Sequence, residues 1–102
     1  MWFITVVEKM NPHPKIPDLP DTGDVRTFGF YSDKEAAIQS LHENWYDMHE
    51  ACYDYAVIEE YEEGIYNDTG KRQWFKWDNM RSGFFEIEEP ELVKYLGCFA
   101  MG

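Results

Sequence analysis

One stretch of the chain, beginning at Ser32, has the period of an α-helix. Ser32 and Glu35 match a capping box, in which two side chains bond to the unpaired amide groups of a first helical turn. Apolar residues then recur at steps of three to four, the spacing that keeps one side of a helix against a core. These residues are Ala37, Leu41, Trp45, Met48 and Cys52. The sequence therefore predicts one main helix that begins at the capping box.

Strand patterns lie on both sides of this helix. Stretches rich in β-branched and aromatic residues are separated by Gly, Pro, Asn and Asp. The predicted strands are 2–8, 25–31, 55–61 with a possible extension through Ile65-Tyr66, 72–77 and 84–87, with Cys98–Met101 as a further short strand. The proline-containing segment from Asn11 to Gly23 is predicted to be a loop, and Pro90 to Leu96, stopped by Gly97, a short helix.

Turn signals between the later strands indicate how the strands pair. Asn67–Gly70 and Asn79–Gly83 contain residues that tolerate turn dihedral angles, so we expect two consecutive hairpins. Consecutive hairpins produce antiparallel pairing. The predicted fold class is α+β: a single antiparallel sheet of four to six strands with one main helix packed on one face, in the order ββαβββ with a short C-terminal helix. A length of 102 residues predicts a single domain, 1–102.

The charge balance limits the classes of partner. Twenty Asp and Glu face nine Lys and Arg, a net charge of −11, which opposes direct binding to nucleic acid or to an anionic membrane. No apolar run approaches the roughly 20 residues of a membrane helix. The first residues lack the basic region of a secretory signal, and the two cysteines are far apart without CxxC spacing. We therefore predict a cytoplasmic protein with buried thiols.

The distribution of the acids is the informative feature for function. No Lys or Arg occurs between Lys34 and Lys71, a stretch with ten acids. On the predicted helix, four of them would form one exposed stripe with carboxylates about 6 Å apart, close to the spacing of phosphates along a nucleic-acid strand. The sequence thus predicts a protein that occupies the basic surface of a nucleic-acid-processing enzyme. The predicted partner-binding residues are Glu43, Asp47, Glu50, Asp54, Glu59, Glu60, Glu62 and Glu63. One alternative is an acidic face that only keeps the protein soluble, and another is a structural protein of unknown role.

Catalytic, metal and cofactor sites are not predicted. No serine or cysteine lies in a nucleophile motif, and no glycine-rich phosphate loop is present in the sequence. His42, His49 and Cys52 lie near one side of the helix, but their spacing matches no compact zinc motif. A second functional hypothesis is a small-molecule site in an aromatic pocket formed by Trp45, Tyr61, Trp74 and Trp77.

A further pattern concerns the chain from Thr27 onward. The strings Tyr55-Ala-Val-Ile-Glu-Glu60, Glu63-Gly64 and Trp74-Phe-Lys-Trp77, with Gly97 near the end, resemble short uncharacterised proteins of Firmicutes and their phages. The resemblance implies a setting, because small acidic proteins of phages and mobile elements include inhibitors of host nucleases, anti-CRISPR proteins among them. It assigns no functional residue.

Overall fold

The structure, a computed structural model, describes residues 1–16, 20–43, 53–64, 68–94 and 99–100. Its strands, in chain order, are β1 (Trp2–Val7), β2 (Asn11–Pro12), β3 (Pro20–Asp21), β4 (Val25–Tyr31), β5 (Tyr55–Tyr61), β6 (Asp68–Asp78) and β7 (Gly83–Ile87). The helix α1 spans Lys34–His42, and a 3-10 helix spans Glu91–Val93.

Five of the strands form one antiparallel sheet in the order β4-β1-β5-β6-β7. The α+β prediction with one helix packed on an antiparallel sheet is therefore confirmed. Hairpin connections place β5, β6 and β7 side by side, while β1 lies in the sheet interior between β4 and β5. The segment 11–23, predicted as a loop, also contains the two-residue ladder between β2 and β3.

The sheet has a different cover on each face. On one face, here called the helix face, α1 packs over a cluster of buried residues: Ile4, Val6, Ala37, Leu41, Tyr53, Ala56, Ile58, Phe75 and Phe84. On the opposite face, here called the C-terminal face, Val93 and Phe99 from the end of the chain pack on Val7, Val57 and Trp74. Successive strand residues point to opposite faces, so both sides of the central strands are buried.

Helix α1 begins one residue later than the capping box predicts. Asp33 is the N-cap, in an extended conformation, and its carboxylate accepts a hydrogen bond from the amide of Glu35 at 3.2 Å. The shift from Ser32 follows because an aspartate at this position satisfies the same orphan donor and adds a negative charge at the positive end of the helix. Ala37 and Leu41 are fully buried as predicted. The other predicted core positions of the helix, Trp45, Met48 and Cys52, lie outside the described residues.

The turn predicted at Asn67–Gly70 is wrong in its described part, because residues 68–70 belong to β6. Tyr61 pairs with Asp68 and Glu59 with Arg72, so three β6 residues lie opposite one β5 residue. This irregularity is a bulge that contains Gly70 at a φ of +80°, a left-handed conformation that glycine adopts without steric cost. Asn67 and the predicted extension Ile65-Tyr66 lie outside the described residues.

The second predicted turn, at Asn79–Gly83, is confirmed between β6 and β7. The Asp78 carboxylate accepts hydrogen bonds from the amides of Met80 at 2.9 Å and Arg81 at 3.3 Å. Ser82 adopts a φ of +52°, the left-handed region. An aspartate side chain that bonds the backbone two residues later is typical of tight turns.

The end of the chain differs from its prediction. The described part of the predicted helix Pro90 to Leu96 is the single 3-10 turn Glu91–Val93, with Pro90 at its N-cap. Phe99 and Ala100 lie in a turn rather than in the predicted last strand. Leu96, Gly97, Cys98 and Met101 lie outside the described residues.

Candidate functional site

The eight acids predicted to bind a partner do not share one environment. Glu43, Asp54, Glu62 and Glu63 are exposed, whereas Glu60 is partly buried. Glu59 has no exposed surface. Asp47 and Glu50 lie outside the described residues. The predicted surface therefore loses Glu59, and the structure places only part of the remaining set.

Strand β5 also separates the exposed acids from one another. Asp54 precedes β5 and Glu62 follows it. With a rise of about 3.3 Å per residue, these two residues are about 25 Å apart. These two acids therefore lie at opposite ends of β5. Of the four acids predicted to form a stripe on the helix, Glu43 is the C-cap of α1 and Asp54 directly precedes β5, while Asp47 and Glu50 lie outside the described residues. The acids that stay together are Glu60, Glu62 and Glu63, at the end of β5 beside the amino terminus.

The amino-terminal end of β1 lies beside Glu60, Glu62 and Glu63. The Met1 ammonium group donates a hydrogen bond to the carbonyl of Tyr61 at 2.8 Å. One Glu60 carboxylate oxygen accepts a hydrogen bond from the Thr69 hydroxyl at 2.9 Å and lies 4.0 Å from the Lys71 ammonium group. Glu60 is thus held by its neighbours. Glu62 and Glu63, here called the acidic tip, directly follow the strand, and both residues are exposed.

Glu59 instead holds the end of the chain. Its two carboxylate oxygens accept hydrogen bonds from consecutive backbone amides, Phe99 at 3.1 Å and Ala100 at 3.0 Å. The side chain is on the C-terminal face because it is in phase with Val57 along β5. A buried carboxylate is tolerated when its oxygens are hydrogen-bonded. Glu59 is therefore a structural anchor for residues 99–100.

An arginine-centred network lies beside this anchor. Arg72 is the direct cross-strand neighbour of Glu59 and forms an ion pair with Glu89. Its guanidinium also donates to the Val93 carbonyl at 2.9 Å and lies over the Phe99 ring at 5.7 Å from the centroid. A planar guanidinium has several donors in a fixed arrangement, so it can hold three elements together. The network fixes the cover of the C-terminal face.

The aromatic pocket predicted from Trp45, Tyr61, Trp74 and Trp77 is not formed by the three residues that the structure describes. Trp74 is 1% exposed on the C-terminal face, where it packs edge-on against Phe99. Trp77 packs with the helix-face core and contacts Phe84. Residues 74 and 77 are separated by an odd number of positions, so a regular strand points them to opposite faces. Trp45 lies outside the described residues.

A different cavity, of about 340 Å³, lies at the β6–β7 hairpin. Of the three described residues of the predicted pocket, Trp77 lines it, together with Lys76, Asp78, Asn79, Arg81, Phe85, Glu86 and Ile87. The Arg81 guanidinium lies over the Phe85 ring, 3.6 Å from its centroid, and is bonded to Asp78 at 2.8 Å. The cavity thus combines aromatic surface with groups of both charges, an arrangement that can contact a small polar molecule.

Hydrogen bonds shift the pKa values of Tyr53 and Asp78. The Tyr53 hydroxyl donates to Asp24 at 2.6 Å, and this bond raises the pKa of Tyr53 because ionisation would remove the donor. The bonds from Arg81 lower the pKa of Asp78, because they favour the charged carboxylate. Tyr53 and Asp78 are therefore each hydrogen-bonded to a neighbouring side chain within the fold.

Comparison with known proteins assigns no family and no function to this chain. No family model, curated protein or solved structure matches the chain. Within the described ranges, no three His, Cys, Asp or Glu side chains are grouped so that they could hold a metal ion; His49 and Cys52 lie outside those ranges. No helix in the described part has the length and hydrophobicity that a membrane crossing requires.

Proposed function

We propose that this chain is a non-enzymatic binding protein whose exposed carboxylates engage a basic surface on another protein. The observation that carries the proposal is the charge balance. Twenty acids and nine bases leave eleven carboxylates without a basic partner even if every Lys and Arg is paired. Such an excess attracts cationic surfaces and repels polyanions. Basic nucleic-acid-binding grooves are the partner class with the matching charge.

The acidic tip, Glu62 and Glu63, is the contact that we favour. Both residues are exposed, and they follow a central strand whose position is fixed by its neighbours β1 and β6. An ordered strand directly before the tip lowers the entropy lost on binding. Glu43 and Asp54 lie elsewhere on the surface, so they would contact a partner that is large enough to span the sheet.

The proposal also includes a biological setting. The resemblance to small proteins of Firmicutes and their phages supports an inhibitor that acts in a bacterial cytoplasm, of the anti-CRISPR kind. An inhibitor of this type competes with nucleic acid for Lys and Arg side chains. Its affinity for the enzyme should therefore fall as salt concentration rises, because screening weakens interactions between exposed charges.

A pull-down from bacterial lysate, at low and at high salt, tests the proposal with paired charge-reversal variants. Glu62→Lys/Glu63→Lys and the control Glu86→Lys/Glu88→Lys each replace two exposed glutamates and change the net charge from −11 to −7. We expect the wild type and the control to retain a nucleic-acid-processing enzyme at low salt and the tip variant to lose it. Equal retention by all three proteins would refute a role for the tip, and absence of any basic partner would refute the proposal.

Small-molecule binding is a second candidate, and the hairpin cavity is the observation that favours it. This cavity is an open surface groove of about 340 Å³, so it would hold a small ligand with part of that ligand exposed to solvent. Native mass spectrometry of the purified protein tests this candidate. A retained small molecule that is lost from Phe85→Ala would support it, whereas a spectrum of the bare chain would count against it.

A further inference from the structure

Three nitrogen-bearing side chains surround Phe85 at the β6–β7 hairpin. Lys76 is the direct cross-strand partner of Phe85. The Arg81 guanidinium lies over the Phe85 ring, 3.6 Å from its centroid, and the centroid of the His42 ring lies 6.2 Å from the same point. Lys76, Arg81 and Phe85 line the open cavity of about 340 Å³ at this hairpin, here called the hairpin groove. The groove therefore has a basic lining within a chain that is acidic as a whole.

Both cations of the hairpin groove keep hydrogen-bond donors for a ligand. Lys76 is exposed, its ammonium group lies 5.6 Å from the centroid of the Tyr55 ring, and it forms no ion pair within the part of the chain that the structure describes. Arg81, with a side chain that is 60% exposed, bonds Asp78 through its Nε atom. The four N–H donors on its two Nη atoms are separate from this bond. Such donors can hold a carboxylate at two points.

The two carboxylates that line the hairpin groove are directed elsewhere. Asp78 accepts hydrogen bonds from two backbone amides of the turn and from the Arg81 Nε atom, so its oxygens are used within the turn. Glu86 follows Phe85 on β7. Adjacent strand residues point to opposite sides, so Glu86 points away from Phe85. The Lys76 charge is therefore left for a ligand.

The walls and the charges of the hairpin groove define the class of ligand. Trp77 and Ile87 also line it, so part of the lining suits a planar apolar group. A ligand cation would meet Lys76 and Arg81, which already lie over the rings that could attract it. The net charge of −11 repels a ligand with several negative charges. One aromatic ring with one negative charge satisfies all three constraints.

We propose that the hairpin groove binds a small aromatic carboxylate, a planar ring that bears a single negative charge. This inference rests on the small-molecule candidate above and names its ligand class. The carboxylate contacts the Lys76 ammonium group and the Nη atoms of Arg81. The ring packs against the apolar part of the lining, beside Phe85 and Trp77, with one side open to solvent.

Titration of the wild-type protein with three probes, followed by the backbone amide signals in NMR, tests the ligand class. Phenylacetate has both the ring and the charge, phenylacetamide has the ring alone, and acetate has the charge alone. We expect phenylacetate to shift the signals of residues 76–87 with a Kd on the order of 1 mM, as suits a ligand of about ten heavy atoms. The other two probes should bind at least about tenfold more weakly, because each lacks one of the two contacts.

Two variants and a matched control test the cations. Lys76→Gln and Arg81→Gln should each weaken phenylacetate binding at least about tenfold and leave phenylacetamide binding unchanged, because only the charged contact is lost. Lys71→Gln removes the same charge from the same strand, and the Lys71 side chain is 72% exposed. It should leave phenylacetate binding unchanged. The amide spectrum of each variant also shows whether the fold is retained.

Three outcomes would overturn the proposal: no phenylacetate shift at residues 76–87, equal binding of phenylacetate and phenylacetamide, or equal losses in the Lys71 and Lys76 variants. The probe comparison uses only the wild type, so it decides the ligand class even where a variant fails to fold. Equal binding of the two ring probes at residues 76–87 would reject the carboxylate and keep the groove as a small-molecule site. The lysate pull-down tests the enzyme contact independently of all three outcomes.

Discussion

Replacing the buried Glu59 by alanine should loosen the C-terminal face. The substitution removes both oxygens that hold the amides of Phe99 and Ala100. Hydrogen bonds to a charged group contribute about 1.5–3 kcal/mol each, so the two bonds set a range of about 3–6 kcal/mol. Water can reach the two amides once residues 99–100 detach, which limits the loss. We therefore expect the free energy of unfolding to fall by about 3–4 kcal/mol for Glu59→Ala.

Urea unfolding followed by circular dichroism measures this change, and the adjacent glutamate provides the control. The Glu60 side chain is 24% exposed, and its ion pair with Lys71 is 4.0 Å long, so Glu60→Ala should cost less than about 1 kcal/mol. Glu59→Gln retains one acceptor oxygen and should fall between the two variants. Hydrogen exchange at Phe99 and Ala100 should accelerate only in the Glu59 variants. A loss below about 1 kcal/mol for Glu59→Ala would refute the anchor.

Three further substitutions test local features of the fold. Ser82→Gly should raise the free energy of unfolding by up to about 1 kcal/mol, measured in urea, because glycine adopts the φ of +52° without strain. Gly70→Ala should lower it by about 1 kcal/mol in the same assay; an added Cβ would meet no atom within 4 Å, so the cost arises from the φ of +80°. The ring-carbon NMR signal of Tyr53 should titrate above the ordinary tyrosine pKa and return toward it in Asp24→Asn. Since the folded-state pKa is raised, this bond stabilises the fold below the ordinary pKa, and its contribution is lost as pH rises through the folded value.

The sequence alone predicted the elements that depend on residues close together in the chain. Helix α1 follows from the three-to-four residue period of Ala37 and Leu41, and the β6–β7 turn from the residues after Asp78. The bulge at Gly70 was missed because a glycine after Asn and Asp is also typical of a turn, and only the pairing of Tyr61 with Asp68 distinguishes the two.

The role of Glu59 shows why the acidic surface could be predicted only in part. Alternation along β5 places Glu59 in phase with the buried Val57 and Tyr61, and this period-two signal is present in the sequence. The prediction counted acids along the chain rather than by face, so it grouped Glu59 with exposed residues. The partners of Glu59 lie 40 and 41 residues further on, a separation at which local patterns give no information.

Both ends of the described chain are hydrogen-bonded to β5 between Glu59 and Tyr61. The Met1 ammonium group is bonded to Tyr61, and the Phe99 amide is bonded to Glu59. Residues two apart on a strand are separated by only about 7 Å, so the first and last described residues are both held at the same end of β5. The chain could therefore be circularly permuted, with new termini opened at the exposed β6–β7 turn, and still assemble its sheet in the same strand order.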